Sequence, residues 1–113
     1  MAKCDQGYLC EVCGQAVPGI TDSDLYLRYV IGRVEIAALH REPERHLHCN
    51  PVLAQFIVDD KFPPVTVEGD FSKGYMDDES RRQEEELVTL GWQRLKEVGR
   101  LGLSVAEYPL PGV

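Results

Sequence analysis

Apolar residues recur at helical spacing most regularly toward the C-terminus, where Val88, Trp92, Leu95 and Val98 fall on one face and Arg and Glu residues on the other. This pattern predicts an amphipathic helix over 77–99, weakened locally by Thr89 and Gly91 and ended by the stretch from Gly99 through Gly102. Further upstream the pattern is less decisive. Residues Leu25 to Ile31 are dense in aromatic and β-branched types, and Gly32-Arg33 can turn the chain into a second run, Val34 to Leu39, which favours a hairpin. The competing reading is a helix capped by Ser23 or Asp24, with Leu25, Arg28, Tyr29 and Gly32 at helical spacing. Asn50-Pro51 marks a further helix start, and Val52, Leu53, Phe56 and Ile57 form an apolar stripe of about two turns before Asp59-Asp60 ends it. Tyr29 and Trp92 both read as packing residues.

Between these elements the chain is punctuated by turns. The first 20 residues are rich in Cys and Gly and read as loop and knuckle, while Phe62-Pro63-Pro64 leaves room for at most a short edge strand at Val65-Thr66-Val67. The loop Phe71-Ser72-Lys73-Gly74-Tyr75 gathers a Lys, two aromatics and a Gly outside predicted structure, and the Pro-rich tail is expected to lie extended on the surface. With 113 residues the chain suits a single domain: a metal-binding half over 8–58, a loop over 59–76, the long helix over 77–99 and the tail over 100–113.

The charge changes the picture of partners. Twelve basic and 19 acidic residues give a net charge of -7, divided as 5 basic against 7 acidic up to Phe56 and 7 against 12 beyond it. That balance disfavours binding led by phosphate neutralisation, so nucleic acid is an unlikely partner. No apolar run is long enough for a membrane span and the first residues offer no signal-like apolar region, so the expected compartment is cytoplasmic.

Four cysteines in a reducing compartment point to metal rather than to disulfides. Cys10-Glu11-Val12-Cys13-Gly14 is a Cys-x2-Cys-Gly knuckle, and His46-Leu47-His48-Cys49 supplies an imidazole and a thiolate. The order Cys10-x2-Cys13-x32-His46-x2-Cys49 completes a tetrahedral Cys3His set for Zn2+. His46 is preferred because residues three apart at a helix start face one side; if that segment is extended, His48 can take its place. Cys4 is a spare thiol, and His40 lies in a charged connection and is expected to bind nothing. A redox reading of Cys10 and Cys13 is weakened by Pro18-Gly19, since a thioredoxin-like dithiol normally opens a helix.

A knuckle, then a hairpin, then a His-x2-Cys leading into a short helix resembles the treble-clef class of zinc-binding domains over residues 8–58. The resemblance implies a small zinc-stabilised half; with the long C-terminal amphipathic helix packed across it, the expected fold is α+β. Within that class the ligand order looks like the zinc finger of poly(ADP-ribose) polymerases, which implies DNA-break binding. This chain departs from that family in being acidic, with Arg28, Arg33, Arg41 and Arg45 interleaved among Glu35, Glu42 and Glu44, so the role is not carried over. Four closed ligands are the pattern of structural zinc. The expected function is therefore a zinc-binding protein-interaction or regulatory module that engages a protein partner or forms a homo-oligomer. The alternatives are a nucleic-acid-binding zinc finger, and a metal-dependent enzyme with His40, His46 or His48 at an open position.

Overall fold

Ser23 sets the start of the first helix: its hydroxyl accepts from the Tyr26 backbone N–H at 3.0 Å, and α1 runs Asp24–Val30. The computed structural model describes residues 9–113, so Cys4 lies outside them. The hairpin expected over 25–39 is thus corrected to a helix followed by a 3-10 turn, Ile36–His40. The reason lies in burial. Leu25, Tyr26, Leu27, Tyr29 and Val30 are all buried, so α1 is covered on nearly every side. A helix buried all round has no polar face to reveal its period.

The second helix, α2 (Pro51–Ala54), begins with Pro at its first position but lasts one turn, shorter than the expected two. Its stripe is real beyond the helix, because Leu53, Phe56 and Ile57 are buried while Val52 is 40% exposed. Helix α3 (Asp78–Leu101) is capped by Asp77, whose side chain accepts from Ser80 N, and ends at Gly102 in the left-handed region at φ 67°. Its 24 residues reach about 36 Å at about 1.5 Å per residue, close to the 38 Å long axis of the molecule.

Helix α3 packs across α1 through its buried face, Val88, Gly91, Trp92, Leu95 and Val98. Gly91 is the point of closest approach: a Cβ there would clash with an Ile31 methyl and lie 3.0 Å from Leu27 Cδ1. Trp92 stacks edge-on with Phe62 at 5.1 Å and donates its indole N–H to Thr21 O at 3.2 Å. Both Trp92 and Tyr29 are core residues.

The tail closes the other side of α1 and does not lie free on the surface. A 3-10 turn, Val105–Glu107, is fixed by a capping box between Ser104 and Glu107. Behind it Tyr108 is buried beside Tyr26, Tyr29 donates its hydroxyl to Val105 O at 2.8 Å, and Leu110 N donates to Val30 O at 3.0 Å. Arg94 of α3 donates to the carbonyls of Glu107 and Tyr108.

The result is a compact, mostly helical small domain. Among the described residues the β pairing consists of two isolated bridges, Leu9 with Ala16 and Ser23 with His46, and residues 65–67 form no strand. The loop at Phe71–Tyr75 contains a 3-10 turn, Lys73–Tyr75, clamped to α2 by the buried Gln55, which donates to Phe71 O and accepts from Lys73 N, both at 2.8 Å.

The α1–α3 contact yields a paired prediction. Gly91→Ala should destabilise the chain by about 1–3 kcal/mol through overpacking. Gly99→Ala, where a Cβ meets nothing within 4 Å, should stabilise it by about 0.5–1 kcal/mol through helix propensity. Urea denaturation of both variants checks the pair; equal effects would contradict the close packing at Gly91.

Candidate metal centre

Two chain segments meet beside the N-terminus of α1. In the first, Cys10 N donates to Gln15 O at 2.8 Å and Gly14 N to Cys10 O at 2.9 Å, curling residues 10–15 into a knuckle. Gly14 adopts φ 77°, which a side chain would strain. The curl aims the Val12 N–H at the Cys10 sulfur, 3.4 Å away, and the His46 N–H reaches the same sulfur at 3.4 Å from the second segment.

The second segment turns at Leu47–Cys49, a 3-10 turn that starts from an extended His46. The turn places the His46 ring and the Cys49 sulfur on the same side. His46 Nε2 lies 2.8 Å from Ala16 O. Because a carbonyl only accepts, Nε2 carries the proton and Nδ1 keeps a lone pair facing the sulfurs. Nδ1 is 3.3 Å from Cys13 Sγ and 3.9 Å from Cys49 Sγ.

The ligand atoms of Cys10, Cys13, His46 and Cys49 all lie within 4.8 Å of one another. A tetrahedral ion with metal–sulfur bonds near about 2.3 Å and a metal–nitrogen bond near about 2.0 Å needs sulfur–nitrogen edges of about 3.6 Å. The two measured edges bracket that value, so these four side chains fit a metal ion. His48 is not among the four: its exposed ring stacks on His46 at 4.7 Å and 22°. His40 is exposed at the end of its 3-10 turn and also stays apart.

The thiols differ in their electrostatics. Burial works against ionising Cys10, but the backbone N–H groups of Cys13, His46 and Val12 outweigh it, and the thiol is lowered to about 6. Burial raises Cys49, and hydrogen bonding and repulsion from the Cys10 and Cys13 sulfurs add to this, taking it to about 11. A cation at the centre reverses that repulsion and favours the thiolate.

A buried polar network joins this site to α1. Asp24 is fully buried and its carboxylate accepts from Arg28 at 2.9 Å, from Arg45 at 3.0 and 3.2 Å, and from Asn50 at 2.6 Å, while Asp24 N donates to Arg45 O. Ser23 donates to the buried Glu44 at 2.6 Å, Glu44 Oε1 also accepts from Arg45 N, and Glu44 O accepts from Glu11 N of the knuckle. Both metal-facing segments are thereby tied to one helix N-terminus. The sequence reading considered Ser23, Asp24 and Asn50 only as helix caps and missed this convergence. Its one local signal was Glu44-Arg45 immediately before His46.

No family model matches the chain, and no curated protein or solved structure does either. What the fold and site define is a small helical domain with a Cys/His cluster able to coordinate a metal ion.

Two outcomes follow from this geometry. Asp24→Ala strands two guanidiniums that are each only about a quarter exposed, and should cost about 2–3 kcal/mol in urea unfolding; a loss below half that would show the network to be incidental. Because Cys49 is protonated at pH 7.5 in the metal-free chain, metal binding should release at least its proton. Calorimetric titration in buffers of different ionisation enthalpy reads this release, and identical heats in all buffers would contradict it.

Proposed function

We propose that the cluster is a closed Cys3His zinc site, that the zinc is structural, and that the domain serves as a protein-interaction or regulatory module. The observation that carries this reading is the mutual approach of the four ligand atoms to within 4.8 Å. Three thiolates and one imidazole suit zinc's preference for soft donors in tetrahedral geometry, and four protein ligands leave no position for substrate. The knuckle and the His-x2-Cys ahead of α2 are the features that resemble a treble clef, while a helix, α1, lies where a hairpin was expected.

Within this reading the zinc holds residues 10–15 and 46–49 together, and the outer face of α3 is offered to a protein partner or a second copy. Support for a role other than phosphate binding comes from the arginines. Arg28 and Arg45 pair with Asp24, and Arg33 pairs with Glu84 at 2.6 Å, so their charges are met within the chain. No helix among the described residues is long and apolar enough to cross a membrane.

The test is metal content by mass spectrometry of the chain purified without added metal, beside His46→Ala and His48→Ala. The expected result is one zinc per chain, lost in His46→Ala and kept in His48→Ala. A wild-type chain that holds no metal and keeps its fold in a strong chelator would end the zinc reading.

A further inference from the structure

We infer that Cys13 is a peroxide-sensitive modification site, at which oxidation of the cluster begins and from which the metal is expelled; this rests on the zinc reading above. The three cysteines are unequally covered as residues. Cys10 is 2% exposed and its sulfur is already engaged by the N–H groups of Val12 and His46. Cys49 is half-buried, whereas Cys13 is exposed. The whole knuckle edge from residue 11 to 16 faces solvent, and a Cβ built at Gly14 would meet nothing within 4 Å. His46, the neighbour whose Nδ1 lies 3.3 Å from the Cys13 sulfur, is itself buried and covered on one face by His48.

A metal-bound thiolate keeps a lone pair that can attack an oxidant, and access then decides which sulfur reacts. At Cys13 the thiolate attacks one oxygen of hydrogen peroxide. The O–O bond breaks, a Cys13 sulfenic acid forms and hydroxide leaves. A second thiolate of the cluster, Cys10 or Cys49, lies within 4.8 Å and attacks the Cys13 sulfur. The S–O bond breaks, a disulfide forms and a second hydroxide leaves. Two thiolates are oxidised by two electrons, the peroxide is reduced, and solvent protonates both hydroxides. Sulfurs that lie within 4.8 Å of one another must then close to the disulfide length of about 2.05 Å. The ion loses two of its four ligands in one event. A closed structural site thereby becomes an oxidant-dependent one, and the tie between residues 10–15 and 46–49 passes from zinc to a disulfide or is lost.

The experiment uses the full chain carrying Cys4→Ser, so that the cluster holds every remaining thiol, loaded with one zinc. Hydrogen peroxide is added, released zinc is followed with a chromogenic chelator, and sulfenic acid is trapped with dimedone and mapped by mass spectrometry. The earliest adduct is expected on Cys13, rising together with zinc release. Cys13→His retains a ligand but removes the accessible sulfur, and should slow release by about tenfold or more. Should that variant fail to hold zinc, the order of labelling in the Cys4→Ser chain decides the matter alone. First labelling at Cys10 or Cys49, or full retention of zinc under peroxide, overturns the proposal and leaves the zinc site standing. A chain that binds no zinc before peroxide is added overturns both readings together.

Discussion

Everything in the N-terminal half depends on closing one long loop. Cys10 and Cys13 are separated from His46 and Cys49 by 32 intervening residues, yet their ligand atoms converge to within 4.8 Å. The entropy lost in such a closure has to be offset; Leu47 contributes core burial on one side, while residues 11–16 are exposed on the other. A metal ion is the natural agent because its binding free energy is also folding free energy. What the loop encloses is α1, the most completely buried helix. The cluster and α1 are therefore one structural unit: the ligands clasp the chain that carries the core.

Asp24 transmits this clasp to the rest of the molecule. Its carboxylate gathers Arg28 from α1, Arg45 from just before His46, and Asn50 from the start of α2. A fully buried carboxylate is tolerable only when its lone pairs are met by charged and polar donors, and here every buried polar side-chain atom among the described residues has a partner. On the far side of α1 the packing is apolar. Gly91 lets α3 approach Leu27, Val30 and Ile31, and the tail seals the remaining face with Tyr108 and Leu110. Polar specification on one side and close packing on the other fix the helix in one orientation.

The parts legible in the sequence are those whose signal is local. The ligand spacing brought out Cys10, Cys13, His46 and Cys49, because two-residue gaps between soft donors are rare outside metal sites, and these four side chains do come together. Helix α3 was legible because one face is wet and the other dry, so its period shows. Helix α1 was not, since burial on all sides erases the contrast that betrays a helix and leaves Tyr26, Tyr29 and Val30 looking like strand residues. The tail is largely exposed, as its prolines suggest, but its anchoring by Tyr108 and Leu110 rests on partners 70 or more residues away in sequence and has no local signal. Apart from Glu44-Arg45 beside His46, the Asp24 network was illegible because its members are ordinary surface types whose meaning appears only when distant segments meet.

On the proposed reading, three sulfurs and one nitrogen from these two segments hold a single zinc. X-ray absorption at the zinc edge, recorded on the full chain purified without added metal, reads that shell directly. Three sulfurs at about 2.3 Å and one imidazole nitrogen at about 2.0 Å, in four-fold coordination, are expected. A shell dominated by oxygen, a five-coordinate site with bound water, or no zinc signal at all would contradict that reading.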